Sequence, residues 1–246
     1  MSKNYKRTGF LLACNFFYYV TSAQPITNDS ILLKTAIYNT IALHKADIAE
    51  NLRLYNGTEY SGSYSGTKGF PYFSTDSLRP GNIQYDGSGY QEVPMLFDLV
   101  TGEVIITSFK QEHYIKLLRD KITRFDLLGH TFIRVDTDST TGTSINSGFY
   151  DLLYNNKSAV LIKREKVLRQ VARSEGIDAR FVEYDYYFIK RAGTYFHVFN
   201  MSSLLEAFPG KKNELRSYLR QNHLNFKKDP ENTMVKSAAY YDQLTH

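Results

Sequence analysis

The 246-residue sequence predicts an α+β, β-rich protein. Its body is a curved antiparallel β-meander of about ten strands in hairpins, with an N-terminal helix and C-terminal helices. Three observations carry this. Apolar residues alternate with period two across residues 70–199, broken at short intervals by Gly- and Asn-bearing turns. Twenty Tyr and 16 Phe with no Trp suit pleated, half-buried surfaces. The flanking segments switch to a helical period with capping residues at their starts.

Residues 1–23 read as a secretory signal. Lys3, Lys6 and Arg7 form a basic n-region, Gly9 to Val20 is mostly apolar, and Thr21-Ser22-Ala23 sets small residues at the cleavage point. The apolar run is about 12 residues, against about 20 needed to cross a bilayer. No later segment is long and apolar enough to do so. A second reading takes Leu11-Leu12-Ala13-Cys14 as a lipoprotein signal with Cys14 acylated, although only about six residues separate Arg7 from Cys14, short for an h-region.

Cleavage after Ala23 leaves residues 24–246 as one exported domain, in the periplasm or at the outer membrane or cell surface. That domain has no cysteine, so disulfides, thiolate catalysis and Cys-ligated zinc are excluded. Cleavage also removes three of the 30 basic residues and none of the 25 acidic ones, so the net charge falls from +5 to +2. So small a balance argues against a nucleic-acid partner.

The domain opens on a helix over 30–50. Asn28-Asp29-Ser30 caps it, and Leu33, Ile37, Ile41, His44 and Ile48 form one apolar stripe. His44 on that stripe reads as a hydrogen-bonded core or boundary side chain. Gly57 to Gly69, rich in Gly, Ser and Tyr, reads as loop or irregular edge.

The meander follows over 70–199. Ile83 and Tyr85 alternate up to Asp86-Gly87-Ser88-Gly89, and Val93, Met95, Phe97 and Leu99 alternate beyond it. Thr101-Gly102 turns that strand into Glu103–Ser108, and Ile122–Leu127 pairs with Thr131–Val135 across Gly129. Gly148–Tyr154 and Ser158–Arg164 flank Asn155-Asn156-Lys157, where Asn tolerates the positive φ of a tight hairpin. Tyr184–Lys190 and Thr194–Phe199 flank Arg191-Ala192-Gly193.

Residues 202–244 return to helix. Ser203-Leu-Leu-Glu206 reads as a capping box, and Pro209 as the start of a helix with Leu215, Tyr218 and Leu219 on its apolar face. Asp229-Pro230-Glu231 restarts a helix with an N-cap, a proline at N1 and an acid in the first turn.

Reaction motifs are missing. The sequence has no His-Glu-x-x-His, no Cys-x-x-Cys, no phosphate-cradling Gly-x-x-x-x-Gly-Lys-Ser/Thr and no Gly-x-Ser-x-Gly elbow. No catalytic residue, metal site or cofactor is therefore expected. Ser65-Gly-Thr-Lys68 matches Ser-x-x-Lys but lies in a Gly-rich loop without its companion elements. Asp136-Thr-Asp138-Ser-Thr-Thr-Gly142 departs from a calcium loop because its Gly comes one place late and its twelfth position is Ser147. The 14 Asp and 11 Glu leave a paired-carboxylate hydrolase open, since such pairs converge in space and not in sequence. Asp98, in an otherwise apolar strand, reads as an outward or edge position beside its turn.

The basic run around Lys163, Arg164 and Lys166 lies in residues 157–191, which hold nine basic and five acidic residues. It is either a dock for an anionic partner or a strand edge guarded against aggregation. Tyr184 and Tyr186 crowd one strand and Tyr195 faces them across the hairpin. A tyrosine is an apolar plate with a polar tip, suited to gripping a sugar or a protein partner. These six residues are the candidate partner contacts.

Several segments together resemble a group of exported envelope proteins of Bacteroidota to which no activity is assigned. They are Leu54-Tyr-Asn-Gly57-Thr-Glu-Tyr60, Ile83-Gln-Tyr-Asp-Gly87 through Phe97-Asp98, Gly148-Phe-Tyr-Asp-Leu-Leu-Tyr154 with Lys163-Arg164-x-Lys166, and Leu215 to Asp229. The resemblance implies an envelope address and a β-rich body, and it supplies no catalytic residues. The expectation is thus a non-enzymatic binding, carrier or adaptor module with an envelope protein, glycan or lipid as partner. The alternative is a hydrolase acting on polysaccharide or peptidoglycan through paired carboxylates.

Overall fold

The computed structural model describes residues 33–37, 39–40, 52–62, 64, 66–137, 145–174 and 176–245. The chain divides into two units, Met1–Ala46 and Asp47–His246. In the first, residues 33–37 and 39–40 are helical, with Leu33 and Ile37 exposed. The rest of the helix expected over 30–50, including His44, lies outside the described residues, as do the leader and the centre of the calcium-like loop.

The second unit is built on an open β-sheet. Its strands are β1 (Thr58–Glu59), β2 (Thr67–Lys68), β3 (Arg79–Tyr85), β4 (Ser88–Asp98), β5 (Glu103–Thr107), β6 (Tyr114–Lys116), β7 (Ile122–Leu127), β8 (His130–Val135), β9 (Gly148–Asn155), β10 (Ser158–Arg173), β11 (Gly176–Arg191) and β12 (Thr194–Val198). The order across the sheet is β1-β6-β5-β4-β3-β7-β8-β9-β10-β11-β12, with β2 laid parallel on the far end of β11. Every other pairing is antiparallel. The β-rich α+β class is as expected.

The meander is not continuous. β3 to β6 step outward in one direction, then a 3₁₀ turn at Arg119–Lys121 returns the chain to the free edge of β3, where β7 pairs. From β7 to β12 each strand joins its predecessor. β10 and β11 run 16 residues each, well beyond the expected Arg164 and Tyr184, as one long ladder from Ser158↔Arg191 to Arg173↔Gly176.

Three hairpins turn on two residues with positive φ: Asp86-Gly87 (51°, 83°), Leu128-Gly129 (53°, 81°) and Ala192-Gly193 (47°, 79°). Both signs match a type I′ turn, whose twist suits the flanking strands. The Asn156-Lys157 connection, by contrast, carries no positive φ, so Asn is not needed there for backbone freedom.

Register assigns the faces. Phe132, Asp151, Ile162 and Tyr187 stand in one row across β8, β9, β10 and β11, because each is the partner of the next. On the same face, Phe97, Phe125, Phe132 and Phe149 form a ring-on-ring core with centroids 4.8 to 5.9 Å apart. At its other end Val160, Ile189 and Val198 join a second core under the C-terminal helices. The opposite face carries a smaller cluster, with Tyr150, Leu161 and Phe188 at its centre.

The helices are α1 (Met201–Glu206), α2 (Lys212–Gln221) and α3 (Pro230–Leu244). The first capping box is shifted from the expected one. Asn200 is the N-cap and Ser203 is N3, each side chain bonding the other's backbone N–H. Pro209 precedes the α1–α2 turn at Gly210 and does not begin a helix. Asp229 caps α3 with Pro230 at N1, as the sequence indicates. Leu215, Leu219, Met234 and Ala238 join that second core, with α3 laid against β9 and β10, α1 against β12, and α2 against α1 and α3, and Tyr218 stacks on Tyr240 at 4.1 Å.

Candidate functional site

Strand alternation divides the six candidate contacts between the two faces. Lys163, Tyr184, Tyr186 and Tyr195 lie on the smaller-cluster face. Lys163 Nζ reaches Glu165 at 2.8 Å, Arg169 donates to the Tyr184 hydroxyl at 3.0 Å, and Lys190 Nζ stands 5.2 Å over the Tyr195 ring. Tyr186 is exposed. Arg164 and Lys166 point the other way, into the main core face, and are not a surface patch.

Arg164 is a hub. Its Nε and Nη2 donate to Asp151 Oδ2 at 2.8 and 2.7 Å, and Nη1 reaches Asp185 at 3.2 Å and Glu231 at 3.0 Å. His130 Nδ1 meets the same Asp151 oxygen at 2.7 Å. Burial alone would lower the Arg164 pKa, but the hydrogen bonds it donates to Glu231 and Asp151 outweigh that and raise the pKa, so the guanidinium stays charged. Asp185 moves up from its ordinary 3.8, because burial and the charges of Glu231 and Glu183 outweigh Arg164. Asp151 is fully buried, and its Oδ1 has no hydrogen-bond partner among the described residues.

Lys166 is a clamp. Its buried ammonium donates to the carbonyls of Phe70 and Tyr72 at 3.2 and 2.7 Å, pairs with Glu183 at 2.9 Å and stands over the Phe70 ring. This draws the 70–73 segment across the sheet, where the Phe73 ring packs edge-on against His130 and Phe132. Asp98 is fully buried and not at an edge: its carboxylate accepts from Val100 N, Thr101 N and the Tyr60 hydroxyl. Asp242, also buried, accepts from Ser158 N, Ser158 Oγ and Tyr154, locking α3 to the β9–β10 turn. Asp98 and Asp242 are thus occupied at both oxygens by their own structural donors, and Asp151 at Oδ2 alone.

A cleft of about 650 Å³ opens between the β12–α1 junction and the α2–α3 loop. Tyr187, Phe199, Met201, Leu224, Phe226 and Pro230 supply its apolar walls, with Asn200, Asn225 and Lys227 as its polar members. Tyr187 meets the buried Phe226 ring edge-on at 5.8 Å, which fixes the floor. Phe199 is two-thirds exposed although it lies on that wall. Lys227 is the one ionisable ammonium or carboxylate in the lining. Sequence reasoning missed this cleft, because its walls come from a strand, a strand end and a helix–helix loop that are far apart in the chain. The local signals were the two asparagines, each placed to close a turn.

A smaller cleft of about 250 Å³ exposes the charged cluster, lined by His130, Arg164, Glu183, Asp185 and Glu231. Arg164 pairs there with Asp185 and Glu231, while His130 is held by Asp151 and Glu183 by Lys166 from outside the lining. No group of three or more metal-ligating side chains occurs among the described residues. Compared with protein-family models, with curated proteins and with solved structures, the chain matches none.

Proposed function

We propose that this is an exported, non-enzymatic binding module of the cell envelope, and that its ligand sits with an apolar portion in the Tyr187–Phe226 cleft. The observation that carries the reading is the cleft's make-up. Its volume falls within the range of small-molecule sites, six apolar side chains line it, and few polar groups interrupt them. A large exposed ring such as Phe199 on the wall of a concave site is what an apolar ligand would cover.

The hydrolase alternative asks for two carboxylates free to exchange protons across a cleft. Asp185 has the raised pKa of a candidate acid, but it and Glu231 share one guanidinium, and Glu183 holds Lys166. The binding reading therefore has the stronger support.

Two measurements test it. An apolar fluorophore such as N-phenyl-1-naphthylamine should brighten on titration with the protein, and Phe199→Glu, at an exposed wall position, should abolish the rise while the thermal unfolding midpoint holds. No brightening, or a rise untouched by Phe199→Glu, overturns the cleft assignment. Mass spectrometry of the mature protein from its native host should find Gln24 as the first residue. An acylated Cys14 overturns the plain signal, and an intact leader overturns export.

A further inference from the structure

Apart from the Tyr187 hydroxyl, which can donate or accept, the free side-chain polar groups around the apolar cleft are donors. Asn200 Oδ1 accepts from Ser203 N at 2.9 Å, closing the N-cap of α1. Asn225 Oδ1 accepts from Lys227 N at 2.9 Å and Lys228 N at 3.3 Å, closing an Asx-turn. A backbone N–H can only donate, so each amide is fixed with its oxygen on the backbone and its NH₂ left over. Neither NH₂ group makes a hydrogen bond among the described residues, and Lys227 Nζ forms no ion pair there. Two amide NH₂ groups and one ammonium thus stand at the rim of an otherwise apolar cleft, with both amide oxygens already used.

We infer that the ligand is a monoanionic amphiphile, an apolar chain ending in a carboxylate. This rests on the cleft reading above and adds the identity of the head group. A carboxylate accepts at both oxygens and donates at neither, which matches a rim of donors. Its single charge matches the single ammonium. The chain lies along Tyr187, Met201, Leu224 and Phe226, and the head takes Lys227 with the Asn200 and Asn225 amides. A cationic head would find no free carboxylate in the cleft lining and would face Lys227.

The test compares dodecanoate with dodecylamine, equal chains with opposite heads, each displacing the bound fluorophore below its micelle concentration at neutral pH. Dodecanoate should bind at least about tenfold tighter, the scale of hydrogen bonds to a charged group. Raising the salt should narrow the gap, since the rim is solvent-exposed. The decisive variants are Asn200→Asp and Asn225→Asp. Aspartate keeps the N-cap and the Asx-turn oxygen, so the fold is retained, but each replaces an NH₂ donor by an acceptor. Each should weaken dodecanoate about tenfold and strengthen dodecylamine. Equal binding of the two amphiphiles, or a preference unmoved by both variants, overturns the carboxylate assignment and leaves the apolar cleft standing. Failure of both to displace the fluorophore, with no fluorophore uptake, removes the cleft reading itself.

Discussion

Arg164 and Asp151 meet through two hydrogen bonds to one carboxylate oxygen, Nε at 2.8 Å and Nη2 at 2.7 Å, between neighbouring strands at the seam of two apolar cores. The row that contains Asp151 also holds Phe132, Ile162 and Tyr187, so the carboxylate has no water to fall back on. Glu231, from the first turn of α3, reaches the same guanidinium at 3.0 Å. One arginine therefore ties strand β9, strand β11 and helix α3 together.

Removing Arg164 strands a buried charge. Arg164→Met should cost about 3–5 kcal/mol, because Asp151 keeps only His130 while Asp185 and Glu231 relax into solvent. Adding Asp151→Leu should recover a large part of that loss, since an apolar pair suits a row with Phe132 and Ile162. Urea unfolding of the two singles and the double closes the cycle. A double variant no more stable than Arg164→Met contradicts the argument.

Lys166 makes a separate prediction, about a segment and not the whole fold. Lys166→Met leaves the Phe70 and Tyr72 carbonyls without their ammonium, and Glu183, mostly exposed, loses little. Each stranded carbonyl costs about 1–3 kcal/mol where water cannot replace the donor. The 70–73 crossing should loosen first, so amide exchange there should rise more than in β3 or β7. Uniform acceleration across the sheet would mean that Lys166 supports the fold globally.

Asp185 sets a pH dependence with a definite sign. Its folded pKa lies above the unfolded one, so between the two the folded state binds more protons and stability rises as pH falls. The contribution saturates below the ordinary value of 3.8. Asp185→Asn removes this titration and keeps an oxygen for Arg164. The stability of the wild type relative to Asp185→Asn should therefore improve as pH drops from 7 toward 4, measured by denaturant midpoints. A difference that is flat or of opposite slope contradicts the assigned shift.

Much of the sheet was legible because hairpins are local: alternation and a turn residue are both written within a dozen positions. The 122–127 and 131–135 pairing across Gly129 and the Asp229-Pro230 helix start are of this kind. The extension of β10 to Arg173 was not, because a run of Lys and Arg reads as surface whichever face each residue takes. Parity decides that: a one-residue step carries Lys163 to one face and Arg164 to the other. Arg164 then finds Asp151, 13 residues away, and Glu231, 67 residues further on in the chain. The cleft was equally hidden, because Tyr187, Leu224 and Phe226 are joined only by how the α2–α3 loop lies against β11 and the start of α1.

The turns offer a stabilisation that touches no core. Leu128 and Ala192 each sit first in a type I′ turn, at φ of 53° and 47°, where a Cβ crowds the following carbonyl. Asparagine tolerates that region because its short side chain bonds locally, and Asn-Gly is the favoured pair for this turn. Leu128 is exposed, so its exchange forfeits little burial. Leu128→Asn and Ala192→Asn should each add about 0.5–1 kcal/mol, a part of the roughly 1–2 kcal/mol cost of a left-handed residue. The turns lie in different hairpins with no shared partner, so the double variant should add the two effects. Denaturant midpoints with an unchanged slope check it. A loss of stability in either single variant would show that the first turn position is held by something other than backbone conformation.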